Sequence, residues 1–151
     1  MKIFIGTGFI ACLLISTLLF SPPAKARDAK SMYSIAEALQ SRGSEQLDSS
    51  KVQFFFGDQS HPPIAENYGK FTSNKKTNAV GKKDKTACQW VFLSAMISFQ
   101  KRALHEGGDA VVNIHSYYKK NDISSETKFM CGAGAIIAGV TFRGDVVKLS
   151  K

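Results

Sequence analysis

Cysteine and histidine are the side chains best able to do chemistry near neutral pH, and this chain has three of each. The histidines, His61, His105 and His115, are far apart, and none has a short spacing such as H-x-x-x-H that would aim two imidazoles at one metal ion. No metal site is expected. His115 stands out because it alternates with Asn113 and Tyr117, so the three would share the polar face of one strand. They form a candidate small-molecule site, against the plainer reading of an exposed strand histidine. Cys88 or Cys131 could pair with His115 as nucleophile and base, but a bond between the two sulfurs would consume both thiols. No G-x-S-x-G elbow is present to expose a serine nucleophile.

Two glycine-rich motifs fall short of nucleotide binding. Gly134 to Thr141 puts two glycines and a threonine where a phosphate-binding loop has them, but Val140 stands where a lysine must reach the β- and γ-phosphates. Gly132 and Gly134 lack the third glycine of a dinucleotide fingerprint; Ile137 is there instead. Neither nucleotide nor cofactor is expected, nor is ATP hydrolysis. The stretch from Lys70 to Lys85 carries six lysines against one acid, Asp84. Within it Lys75, Lys76, Lys82, Lys83 and Lys85 are candidates for an anionic polymer or lipid head group. Phe71 is the sole aromatic there, so stacking support for nucleic acid is thin, and a solvated, flexible face is the alternative.

The N-terminus says where such residues would work. Lys2 precedes eighteen uncharged residues, Ile3 to Phe20, followed by Ser21-Pro22-Pro23 and Ala24-Lys25-Ala26. A charged start, an apolar centre and a small-x-small site make a secretory signal peptide, with cleavage expected after Ala26. A retained membrane anchor is the rival, since eighteen residues just span a bilayer. Cleavage would remove Cys12, Lys2 and Lys25, leaving 18 basic against 12 acidic residues and no transmembrane segment. The whole chain, 151 residues with a formal charge of +8, is long enough for one domain with one core.

The elements that would position these residues follow from periodicity. Residues 31–42 place Met32, Ile35, Ala36 and Leu39 at helical spacing, predicting a short amphipathic helix ended by Gly43, with a polar linker up to Ser50. Val52 to Phe56 predicts a strand, and Gln59 to Lys85, with Pro62-Pro63 and little periodicity, a long basic loop. Thr86 to Glu106 is the longest helix signal, stopped by Gly107-Gly108. One of its stripes carries Cys88, Phe92, Ala95 and Phe99; the other side carries Trp90, Leu93, Ile97 and Leu104. The first helix is the expected cover for the second side, an open groove the alternative. Ala110 to Tyr118 predicts a strand with Val112, Ile114 and Tyr118 on one face, roughly parallel to 52–56. A polar hairpin at 119–126 leads to a strand over Thr127–Ala138 and a third over Gly139–Leu149, bent near Arg143-Gly144-Asp145. Cys131 falls on the apolar face of its strand with Phe129 and Ala133. A helix laid on the sheet would bring it to Cys88, and an exported chain favours the disulfide over two unrelated buried thiols.

The expected fold is therefore α+β: a small, mainly antiparallel sheet with one long helix on a face and a short N-terminal helix. Residues 1–26 form the signal, 27–50 the short helix and linker, and 51–151 one domain with a basic loop at 59–85. The segments Ala38–Gly43, Gln89–Ala95, Gly107–Ile114, Cys131–Ala135 and Gly144–Leu149 together resemble a family of small exported proteobacterial proteins often labelled "excinuclease ATPase subunit". The chain lacks the P-loop lysine and zinc-finger cysteines of such an ATPase. More distantly, the helix, the Gly-Gly-Asp-Ala-Val-Val strand and the closing Gly-x-x-Val-Lys strand look like the domains of the Rcs envelope-stress lipoprotein and the YbjQ-type proteins. That resemblance implies a non-catalytic envelope domain and no site residues. The expected function is a periplasmic or secreted protein, not an enzyme, that binds another envelope component, with an anionic polymer as the alternative partner.

Overall fold

The computed structural model describes residues 29–150. The expected signal peptide and Cys12 lie outside these residues. Six strands and one long helix make an α+β fold of the expected class: β1 (Ala29–Ser34), α1 (Ile35–Leu39), β2 (Gln53–Phe56), β3 (Ile64–Asn78), α2 (Asp84–Glu106), β4 (Ala110–Ser116), β5 (Lys128–Ala133) and β6 (Ile137–Leu149). β6 is the spine. β3 pairs antiparallel along one of its edges, from Asn78↔Ile137 to Ile64↔Leu149. The other edge is shared end to end: β5 takes residues 138–139 and β4 takes 142–147. β1 then adds antiparallel to β5, and β2 adds parallel to β4, as expected. Asp109 fastens the end of the spine: its Oδ1 accepts from Leu149 N at 2.8 Å and its Oδ2 lies 3.2 Å from Lys148 Nζ. Burial pushes its pKa up, but the Leu149 N–H and the lysine outweigh that and hold it below the ordinary value.

α2 lies on one face of this sheet. Its buried residues include Cys88, Phe92, Ala95 and Phe99, the stripe expected from sequence, together with Met96, and Gly107 ends it with a left-handed φ of +86°. Beneath it, Phe92 meets Phe56, Phe129 and Phe142 with ring centroids 5.9, 4.6 and 5.6 Å apart. Cys88 and Cys131 are joined as a disulfide, with Cα atoms 5.9 Å apart. On the far side of α2, Leu93 is covered but Trp90 and Leu104 are 46% and 47% exposed. The cover is only partial because α1 is much shorter than expected.

Several expectations are corrected. The helix over 31–42 shrinks to Ile35–Leu39, because residues 29–34 pair along all six residues of β5 and Ser34 caps the helix by accepting from Glu37 N. A helix of a few turns is marginal alone, so a full ladder outcompetes it. The basic loop at 59–85 contains β3, the longest strand of all at fifteen residues. An edge strand with one solvated face has no apolar run to betray it, and its pairing partner lies some seventy residues on. The strand at 127–138 ends at Ala133, where Gly134 N donates to Ile137 O and turns the chain into β6. Residues 119–126 do not form a hairpin between paired strands; Ser116↔Ile123 is one isolated bridge, and β4 and β5 sit in line against β6. β6 runs unbroken through Arg143-Gly144-Asp145. Gly144 faces α2, where a Cβ would come within 2.8 Å of Val111 Cγ1.

Candidate functional site on the open face of the sheet

The register fixes which side chains occupy the face away from α2. β6 sends Gly139, Thr141, Arg143, Asp145 and Val147 there, since Ala138, Val140, Phe142 and Val146 belong to the core under the helix. β3 presents Lys70, Thr72, Asn74 and Lys76 opposite Asp145, Arg143, Thr141 and Gly139. β4 enters with Ala110 and Val112 in a small second cluster with Val147, Leu149 and Phe55.

A bulge in β4 builds the polar part of this face. The ladder with β6 shifts between Val112 and His115, and Asn113 there takes a left-handed φ of +52°. Asparagine tolerates that conformation better than most residues. The extra residue breaks the alternation, so Val112 and Ile114 face opposite clusters rather than sharing a face as expected. Asn113, His115 and Tyr117 do come together. Asn113 Nδ2 donates to Asp145 Oδ2 at 2.9 Å, and His115 Nδ1 lies 2.7 Å from the Asn113 carbonyl oxygen. A carbonyl only accepts, so Nδ1 carries the proton and Nε2 is left facing Asp122 Oδ1 at 3.5 Å. Arg143, opposite His115 in the ladder, lays its guanidinium 3.4 Å from the centroid of the Tyr117 ring. Asp122, Arg143 and Asp145 complete the cluster. Sequence spacing missed them because they arrive from a loop and from a strand twenty-six or more residues away.

The next residue along makes a second, aromatic feature. Gly132 pairs with Gly139, and the ring of Tyr118 lies against the two; a Cβ on Gly132 would overlap Tyr118 at Oη, Cζ and Cε1. Lys119 and Lys120 follow with φ of +50° and +64°, a tandem left-handed turn that folds the ring back onto the sheet. Lys30 and Lys76 flank this glycine floor in the same row, through Lys30↔Gly132 and Lys76↔Gly139. Gly132→Ala is expected to cost about 1–3 kcal/mol by expelling the ring. In a Tyr118→Ala background the same change should be nearly neutral, a non-additivity that thermal melts of the four proteins would read.

The candidate anion-binding lysines do not converge. Lys75 and Lys76 point to opposite faces of β3, Lys82 Nζ donates to Asn78 O, Lys83 precedes α2, and Lys85 pairs with Glu37 at 2.8 Å. Both described thiols are in the disulfide, and the nearest hydroxyl along β4, on Ser116, is buried on the opposite face and accepts from Met130 N. Among the described residues no three His, Cys, Asp or Glu side chains gather as metal ligands, and no helix is long and apolar enough to cross a membrane. Comparison with protein-family models, curated proteins and solved structures yields no match.

Proposed function

We propose that the mature chain is an exported, non-catalytic domain that binds another component of the cell envelope. The observation that carries this reading is the engagement of its most reactive groups. The two sulfurs are bonded to each other, and the ring nitrogens of His115 face the Asn113 carbonyl oxygen and the Asp122 carboxylate. What the fold offers a partner is a broad polar sheet face and the edges beside it. The disulfide suits an oxidising compartment, and the N-terminal charge, apolar run and Ala24-Lys25-Ala26 supply the route there. The anionic-polymer reading has less support, because the five lysines diverge instead of forming one cradle.

Two measurements test the proposal. Intact mass of the protein from its native host should correspond to a chain beginning at Arg27; a chain beginning at Met1 overturns export with cleavage. A photo-crosslinking residue at Thr72, an exposed position on the open face, should give discrete adducts in living cells. Absence of adducts from a panel covering that face and the strand edges would overturn the binding role.

A further inference from the structure

β3 is an edge strand: among the described residues it pairs with β6 and with no other strand. Its register shows which backbone groups are left over. Ala79 N donates to Ile136 O, continuing the β3–β6 register past Asn78↔Ile137. In an antiparallel ladder the bonded pairs alternate, so residues 71, 73, 75 and 77 aim their N–H and C=O at β6. Residues 70, 72, 74 and 76 therefore aim theirs outward. β6 agrees, because Thr141, the partner of Asn74, turns its carbonyl the other way and accepts from Tyr117 N. The side chains of these four residues are exposed and lie on the open face.

The edge is selectively left open. Both irregularities of β3 lie in its first half, between Ile64 and Glu66 and between Asn67 and Gly69, where φ at Gly69 is +106°. The far end is closed by side chains: Asn78 O accepts from Lys82 Nζ, and Asn78 Oδ1 from Val80 N. Between them, Lys70 to Lys76 is a regular run of outward N–H and C=O groups. It carries Lys70 and Lys76 on the open face, Lys75 on the helix side, and no acid. Bulges and lysines are the usual guards of an exposed edge, and these lysines repel a second copy of the chain. The same charges attract a strand of opposite sign.

We propose that an extended acidic segment of a partner protein adds antiparallel to β3 along Lys70–Lys76 as a seventh strand. This rests on the reading of the chain as a binding domain and names the partner's chemistry. Main-chain bonds to residues 70, 72, 74 and 76 hold the segment. Lys70 and Lys76, six residues and about 20 Å apart on one face, select carboxylates at the same six-residue spacing.

The probe is the peptide Glu-Val-Thr-Val-Thr-Val-Glu with blocked ends, titrated into the mature, oxidised protein by amide NMR. Binding should slow exchange of the Lys70, Thr72, Asn74 and Lys76 amides. N-methylation of the two peptide threonines, which keeps the charge and removes the ladder, should weaken binding roughly tenfold or more. Thr72→Pro should do the same, since its N–H points away from β6; helix content and an intact disulfide confirm that this variant folds. Lys70→Glu with Lys76→Glu should abolish binding and admit the peptide with lysine at both ends. Equal binding of the N-methylated peptide, or of inorganic polyphosphate with the same lysine dependence, overturns the proposal in favour of a general polyanion surface. Protection of the four amides that rises with protein concentration alone overturns it in favour of self-pairing. Failure of the peptide while in-cell crosslinks persist overturns the added strand and leaves the binding-domain reading standing; loss of the crosslinks as well overturns both.

Discussion

Phe92→Ala lowers the stability of the domain by about 3–5 kcal/mol, the range for emptying a fully buried aromatic site. Phe92 is entirely buried and sits at the centre of the ring cluster, touching Phe56 of β2, Phe129 of β5 and Phe142 of β6. Its removal leaves a cavity where α2 meets three strands, of which only β5 and β6 pair with each other. Edge and tilted ring contacts add to the area term, so the loss lies in the upper part of that range. Against a total of about 5–15 kcal/mol, the melting temperature should fall on the order of 10–20 °C. Phe71→Ala is the control: that ring is half-buried under Arg102 at the sheet edge and should cost much less. Equal effects from the two substitutions would show that the cluster at Phe92 is not the centre of the core.

Removing the disulfide is the second large effect. The Cys88–Cys131 bond spans 43 positions of chain and ties the first turns of α2 to β5. In the chain-entropy account, closing a loop of that length stabilises the folded state by about 4 kcal/mol through the unfolded ensemble. Both sulfurs sit in the core, so Cys88→Ala with Cys131→Ala leaves no buried hydroxyl to confuse the reading. The double variant should retain its helix content at room temperature and melt on the order of 10–15 °C lower. Free-thiol titration of the unfolded, unreduced protein is the companion check, with no titratable thiol expected from Cys88 and Cys131. Two thiols per chain would overturn the bond and return the cysteines to the list of candidate nucleophiles.

The long helix, its buried stripe and the disulfide were legible in the sequence because each depends on local periodicity in strongly apolar segments. Cys88 and Phe92 mark the helix face, and Phe129, Cys131 and Ala133 alternate cleanly. β3 was illegible for the opposite reason. The strand is held by backbone hydrogen bonds to β6 from residues such as Ser73, Lys75 and Thr77, and those bonds leave no mark on side-chain type. The site was half legible. The alternation of Asn113, His115 and Tyr117 put three residues on one face, but the left-handed turn at Asn113, which reverses Val112 against Ile114, has no signature beyond the asparagine itself. Arg143, Asp122 and Asp145 could be reached only through the ladder. Residues 29–34 show a competition between two readings of one segment, decided by a partner strand about a hundred positions away.

The central position of β6 sets the order of events during synthesis. Every described strand is joined to β6 directly or through one neighbour, and β6 follows all the other described elements in the chain. Until residues 137–149 emerge, β3 lacks its only described pairing partner, and the β1–β5 and β2–β4 pairs have no common support. The sheet can therefore close into one piece only once β6 has been made. On the export route proposed above, such a delay would keep the chain extended for passage through a membrane pore. A chain stopped before Ile137 should for the same reason be a protease-sensitive coil with an isolated α2, not a smaller version of the domain.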